Sequence, residues 1–137
     1  MHLIQIPHEA IANVWPHVQG FIERACEYSR GTHTPETTFS RAVGNQCQLW
    51  VIVDTETKNF VAAGVTSMQL HDTGKQVLYI ELLGGDNVKS WFDLKDQLER
   101  WAKEEGCTDV FAYSRKGWAK HLQDYQITHY LMHKELT

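Results

Sequence analysis

Val77-Leu78-Tyr79-Ile80-Glu81-Leu82-Leu83-Gly84-Gly85-Asp86-Asn87 is the stretch whose reading decides the fold. Its first seven residues are almost continuously apolar, the pattern of a strand covered on both faces, with Glu81 as the single charge. Gly84-Gly85-Asp86-Asn87 stops the strand. Downstream, Trp91, Leu94, Leu98, Trp101 and Ala102 recur at helical spacing and predict one buried stripe. Asp96–Arg100 and Glu99–Lys103 are spaced as ion pairs on the opposite, wet side, and Gly106 ends the helix. Asp109 to Ser114, with Val110, Phe111 and Tyr113, predicts the next strand. A helix of this length between two strands favours a parallel pair joined by a crossover.

Upstream the texture is that of an antiparallel meander. Leu49–Val53 and Phe60–Leu70 predict two strands, with polar turns at 54–59 and 71–75 and with Gly64 expected as a kink or bulge in the longer one. Before them, Leu3, Ile4 and Ile6 predict a first strand stopped by Pro7. Ile11, Val14, Trp15, Val18, Ile22, Ala25 and Cys26 form a helical apolar stripe. Pro16 places that helix's start near Asn13 or Trp15, and Ser29-Arg30-Gly31 ends it. A second helix follows Thr34-Pro35-Glu36, carries Phe39, Ala42 and Val43, and stops at Gly44-Asn45. Beyond the crossover, a short helix is expected over Gly117–Asp124 and a last strand over Thr128–Lys134. The order is β-α-α-β-β-β-α-β-α-β. This is an α/β (α+β) single domain over residues 1–137, with a mixed, mostly antiparallel sheet and helices on both faces.

Composition bounds the function. The 137 residues are 42% hydrophobic and 22% charged, an ordinary globular balance. Thirteen Lys and Arg against seventeen Asp and Glu leave a net charge of -4, which gives no general pull toward nucleic acid or anionic lipid. No run of about 18 apolar residues occurs, so no membrane helix is expected. The N-terminus lacks a basic, then long apolar, leader pattern. Cys26, Cys47 and Cys107 show neither a C-x-x-C spacing nor an even count, and read as small buried side chains in a reducing cytoplasmic compartment.

Eight histidines raise the question of a metal. His129 and His133 are four apart, but on a strand that spacing separates them by about 13 Å, and the others are scattered, so no metal site is expected. Arg115-Lys116-Gly117-Trp118-Ala119-Lys120-His121 is the one basic, aromatic-bearing cluster. It reads as a solvated charged face with Trp118 anchoring the short helix in the core, where holding a phosphate of a cofactor or touching nucleic acid is the functional alternative.

The element order, with a strand ending in glycines, an amphipathic helix, a strand, a short helix and a strand, resembles the GCN5-related N-acetyltransferase (GNAT) fold. The resemblance covers nearly the whole chain. Glu81-Leu82-Leu83-Gly84-Gly85, the helix around Trp91 and Leu98, Gly106-Cys107 and Arg115-Lys116-Gly117-Trp118 are similar to small GNAT-like proteins of phages and prophages. The resemblance implies acetyl-CoA as cofactor. It would be held by backbone amides where the central strand parts from its neighbour and by the turn into the next helix, here Leu82, Leu83, Gly84, Gly85, Asp86, Asn87, Lys89 and Ser90. The family's usual turn reads Gln/Arg-x-x-Gly-x-Gly/Ala; here the glycines come earlier and Asp86 adds a negative charge that Lys89 offsets. Glu81 is the candidate general base and Tyr113 a candidate acid, because aligning Gln126-Ile127 with the family's Gly-Phe pair puts Leu122 where a tyrosine is usual.

Two functions follow from the resemblance. One is an acetyl-CoA-dependent N-acetyltransferase acting on a small-molecule or protein amine. The other is a catalytically inactive phage-encoded module, in the host cytoplasm or the virion, that binds a phage or host protein. Neither requires a membrane or nucleic acid.

Overall fold

The computed structural model describes residues 1–137, apart from the side chain of Lys116. Five strands form one sheet in sequence order: β1 (His2–Ile6), β2 (Gln48–Val53), β3 (Phe60–Leu70), β4 (Gln76–Gly85) and β5 (Asp109–Ala112). The first four run antiparallel in succession, and β5 lies parallel to β4, with Val77 opposite Asp109 and Ile80 opposite Ala112. The meander and the parallel crossover are those the apolar runs predict.

Helices cover both faces. α1 (Ile11–Glu27) and α2 (Pro35–Val43) lie on one, where Val18, Ile22 and Ala42 pack with Leu49, Val51, Val65 and Leu82. α3 (Val88–Trp91) and α4 (Lys95–Glu104) cover the other. There Trp91, Phe92 and Trp118 pack against Ile52 and Ala62, while Ala102 and Cys107 pack against Leu78. Trp50 is stabilised twice, edge-on against Trp101 at 4.8 Å and by its indole N–H donating to Thr66 Oγ1 at 2.9 Å. The three cysteines are free and buried.

Several boundaries differ from expectation. α1 begins at Ile11, because a 3-10 turn at His8–Ala10 leads directly into it. Pro16 therefore sits in the second turn, on the exposed side, where water can take the Ala12 carbonyl that its missing N–H leaves free. The helix predicted around Trp91 to Ala102 is broken into α3, a 3-10 turn at Phe92–Leu94, and α4. Trp91 and Phe92, on either side of the break, both turn inward to the cluster with Trp118. The salt bridges on α4 also differ: among the described residues Lys95, rather than Arg100 or Lys103, is the paired cation, reaching Asp96 at 3.2 Å, Glu99 at 3.5 Å and Asp124 at 3.0 Å.

The C-terminal elements are corrected most. The predicted helix over Gly117–Asp124 is a 3-10 turn at Lys116–Trp118 followed by turns. The predicted strand over Thr128–Lys134 does not form, and Tyr130, Leu131 and Met132 lie exposed. The physical reason is where the chain is anchored. Asp124 is drawn to Lys95, and Tyr125 Oη donates to Glu99 Oε2 at 2.7 Å, both on α4. Further on, His129 lies edge-on to Phe111 of β5 at 6.4 Å.

Candidate active site

The site is built on an irregularity in β4. Leu82 pairs with Val65 on β3, but the next pair is Ile80 with Thr66, so Glu81 is an extra residue with no partner opposite. Gly64 is not the bulge that the sequence suggests; it is the close approach, where a Cβ would lie 3.1 Å from the Leu82 carbonyl oxygen. Through the bulge the consecutive Glu81 and Leu82 turn to the same side, Leu82 into the α1 core and Glu81 toward α2.

The second feature is an opening. β5 ends at Ala112, and its last hold on β4 is the Tyr113 N–H donating to the Ile80 carbonyl at 3.0 Å. β4 runs on to Gly85, so from Glu81 onward its outer edge faces no strand. The resulting crevice is lined by Tyr79, Glu81, Leu82 and Leu83 on one side and by Tyr113, Ser114 and Arg115 on the other, with His33 and Arg41 approaching from the α1–α2 side. Arg115 spans the mouth, its guanidinium carbon 3.9 Å over the Tyr28 ring at the end of α1. Tyr79 stacks on Tyr113 at 5.4 Å and on Phe111 at 5.3 Å.

Glu81 is held from two directions. Arg41 donates from Nη1 to Oε1 at 3.0 Å and from Nη2 to Oε2 at 2.9 Å, and His33 Nε2 lies 2.7 Å from Oε1. The Ser67 hydroxyl faces the same carboxylate, without a fully formed hydrogen bond. Burial works against the charge, but Arg41 first, then the Ser67 hydroxyl and His33, outweigh it and lower the Glu81 pKa to about 2. The same pairing raises Arg41 further. Burial pushes the neighbouring Cys47 thiol up to about 11, so it stays protonated and is no nucleophile. Burial, and then the charges of Tyr79 and Glu81, raise Tyr113 as well, which keeps its phenol protonated at the mouth.

The other candidates from the sequence lie around this opening with different constraints. Leu83 packs against the Trp91–Phe92–Trp118 cluster and Leu82 into the α1 core; because the Asp86 N–H binds Val61 and strand amides alternate, the Leu82 and Gly84 N–H groups face β3 and those of Leu83 and Gly85 face the open edge. A Cβ at Gly84 would collide with the Phe21 carbonyl oxygen, and one at Gly85 would come 2.5 Å from the Ala62 Cβ, so both glycines are demanded by packing. Asp86 gives its N–H to the Val61 carbonyl, accepts the Trp91 indole N–H at 2.6 Å, and turns its carboxylate toward Arg24 at 3.4 Å. Asn87 takes a left-handed conformation, φ 52°, and its carbonyl accepts both the N–H and the hydroxyl of Ser90. Lys89 is exposed. The N–H groups of Val88 and Lys89, in the first turn of α3, have no carbonyl inside the helix to bind.

Arg41 and the role of His33 are what sequence reasoning missed. They lie 40 and 48 residues from Glu81 in the chain, and no local motif links them. Among the described residues no group of three His, Cys, Asp or Glu side chains could hold a metal ion, and no helix is long and apolar enough to cross a membrane.

A sheet with a bulged fourth strand that parts from a parallel fifth, flanked by two helices on one face and a crossover helix on the other, is the GNAT-like fold. Solved acetyltransferases are among its structural neighbours. A probable acetyltransferase superposes with TM-score 0.70 at 12% identity, covering 100% of this chain and 96% of that one. An aminoglycoside acetyltransferase from an uncultured soil metagenomic sample, in complex with sisomicin, gives 0.65 at 13% identity over 98% and 96%. Glucosamine-6-phosphate N-acetyltransferase from Arabidopsis thaliana gives 0.63 at 15% identity over 99% and 98%. No protein-family profile and no curated protein sequence matches the chain.

Proposed function

We propose that this protein is an N-acetyltransferase that moves an acetyl group from acetyl-CoA to a primary amine in the crevice between β4 and β5. The observation that carries the reading is that β5 stops opposite Ile80 while β4 continues through the Glu81 bulge to Gly85, leaving backbone donors turned into a cleft. The residues fit the cofactor. Beyond the bulge the free edge, at Leu83 and Gly85, offers amides to an acyl carbonyl, and the N–H groups of Val88 and Lys89 with the Lys89 ammonium offer positive charge to a pyrophosphate. Asp86 does not oppose this, because its carboxylate is turned to Arg24. Acetyl-CoA would supply an activated acyl thioester; the chain's part is to position it, admit the amine from the α1–α2 side and take its proton. Tyr113, protonated at the mouth, is placed to donate a hydrogen bond to a leaving group.

The acceptor is an amine. The neighbours named for aminoglycosides and for glucosamine-6-phosphate act on amino sugars, and a small molecule of that kind is the acceptor this open cleft best admits. One observation favours the second reading, a phage-type module that binds a phage or host protein without catalysis. Leu122, where the family's tyrosine is usual, packs against the Trp91–Phe92–Trp118 cluster and brings no hydroxyl to the cleft.

Calorimetry of the full chain with CoA and acetyl-CoA separates the two. Micromolar binding, weakened roughly tenfold by Lys89→Glu, is expected of the transferase. No heat at millimolar ligand overturns it and leaves the binding module.

A further inference from the structure

We infer that His33 is the proton acceptor for the incoming amine, and that Glu81, clamped by Arg41, is the carboxylate that positions it; this rests on the transferase reading above. The argument is one of proton bookkeeping. Both carboxylate oxygens of Glu81 are bound and its side chain is 7% exposed, so it is the inner member of the cluster. His33, at 18%, is the outer one and faces the crevice. Its Nε2 meets an ionised carboxylate, which can only accept, so Nε2 carries a proton. Its other nitrogen, Nδ1, lies 2.9 Å from Thr32 Oγ1, and that hydroxyl also lies 2.8 Å from the Ser29 carbonyl.

A hydroxyl has one proton, so Thr32 has two settings. With the proton pointed at Nδ1, the imidazole is neutral. With the proton pointed at the Ser29 carbonyl, Oγ1 becomes the acceptor for an Nδ1–H, and the imidazolium has every N–H satisfied. The loop is therefore built for both charge states of the ring. Thr32 is exposed, so an ammonium in the crevice reaches its Oγ1. The ammonium N–H bond breaks with its electron pair left on the amine, Oγ1 takes that proton, and the hydroxyl's own proton passes to Nδ1. The products are a free amine and an imidazolium between Glu81 and Thr32, which later releases its proton to water.

The groups facing the ring are Glu81 from β4 and Thr32 from its own loop, with the Arg41 guanidinium from α2 behind the carboxylate. Ser29 Oγ also accepts the His33 backbone N–H at 3.2 Å, which holds the ring's base in place. Histidine suits the task because its charge changes near neutral pH, whereas a carboxylate clamped by a guanidinium does not.

The test begins on the full chain without ligand. Nitrogen-15 NMR at pH 9, where imidazoles are neutral, should show the His33 proton on Nε2 and a bare Nδ1, with that preference lost in Glu81→Gln. A neutral ring carrying its proton on Nδ1 overturns the inference, whatever acetyl-CoA does. Thr32→Val, at an exposed position, should leave the tautomer unchanged. The second arm screens primary amines, amino sugars among them, with acetyl-CoA. For the amine acetylated fastest, His33→Gln should lower kcat by about a hundredfold, leave the KM for acetyl-CoA unchanged and abolish the rising limb of the pH profile. An unchanged kcat or pH profile overturns the role. Absence of acetyl-CoA binding would instead sink the transferase reading while the tautomer result stood, so the two failures are distinguishable.

Discussion

Glu81 shows how much one residue's setting can change its chemistry. A carboxylate on a central strand facing a cleft suggests a base, yet bidentate contact with Arg41 and a third bond from His33 hold its pKa near 2. The same shift makes a stability prediction. The folded pKa is depressed below the ordinary 4.5, so the stabilisation is complete above pH 4.5 and is lost as pH falls toward 2. The difference corresponds to on the order of 3 kcal/mol. Urea titrations between pH 5 and 2 should therefore show the native chain losing stability more steeply than Glu81→Gln, and parallel curves would refute the account. Sequence could nominate Glu81 because a lone charge in an apolar strand stands out, but it could not supply the partners, which come from a helix and a loop brought in by packing.

At the level of elements, the two adjacent glycines that end β4 carry a structural requirement. Gly84 meets the backbone of α1 at Phe21, which cannot swing aside as a side chain could. Gly84→Ala should destabilise the protein by about 2 kcal/mol, in the range of overpacked cores. Gly20, inside α1, has open space around it, and Gly20→Ala should stabilise by roughly 0.5–1 kcal/mol through helix propensity. Thermal melts of the pair test the assignment, since both changes add the same methyl and are expected to move Tm in opposite directions. β3 was legible to its end residues because polar turns bound it on both sides. The broken helix over 88–104 was not, because a single apolar stripe reads the same whether or not a 3-10 turn interrupts it. The bulge at Glu81 was invisible as well, since a bulge is a relation between two strands and leaves no local mark.

On the scale of the molecule, the sheet ends at a four-residue strand, and the chain beyond it is tied to α4 by Lys95 and Tyr125 before running out exposed. Ile127, Tyr130, Leu131, Met132 and Leu136 all lie more than 70% exposed. Amides from Ile127 to Thr137 should accordingly exchange hydrogen without measurable protection, while those of β3 and β4 exchange only through global unfolding. Protection over Thr128–Lys134 matching that of β5 would show that a sixth strand forms.

Hydrophobic periodicity and turn chemistry alone determined the order of the five strands and the two N-terminal helices, the antiparallel meander and the parallel crossover, because those patterns are local and repeat with the period of the structure they specify. The tertiary structure alone decided where β4 and β5 part, which strand carries the extra residue, and that Arg41 and His33 converge on Glu81 from 40 and 48 residues away. Those outcomes depend on how separate elements abut, and the energy that selects them is shared between residues that no stretch of sequence contains together.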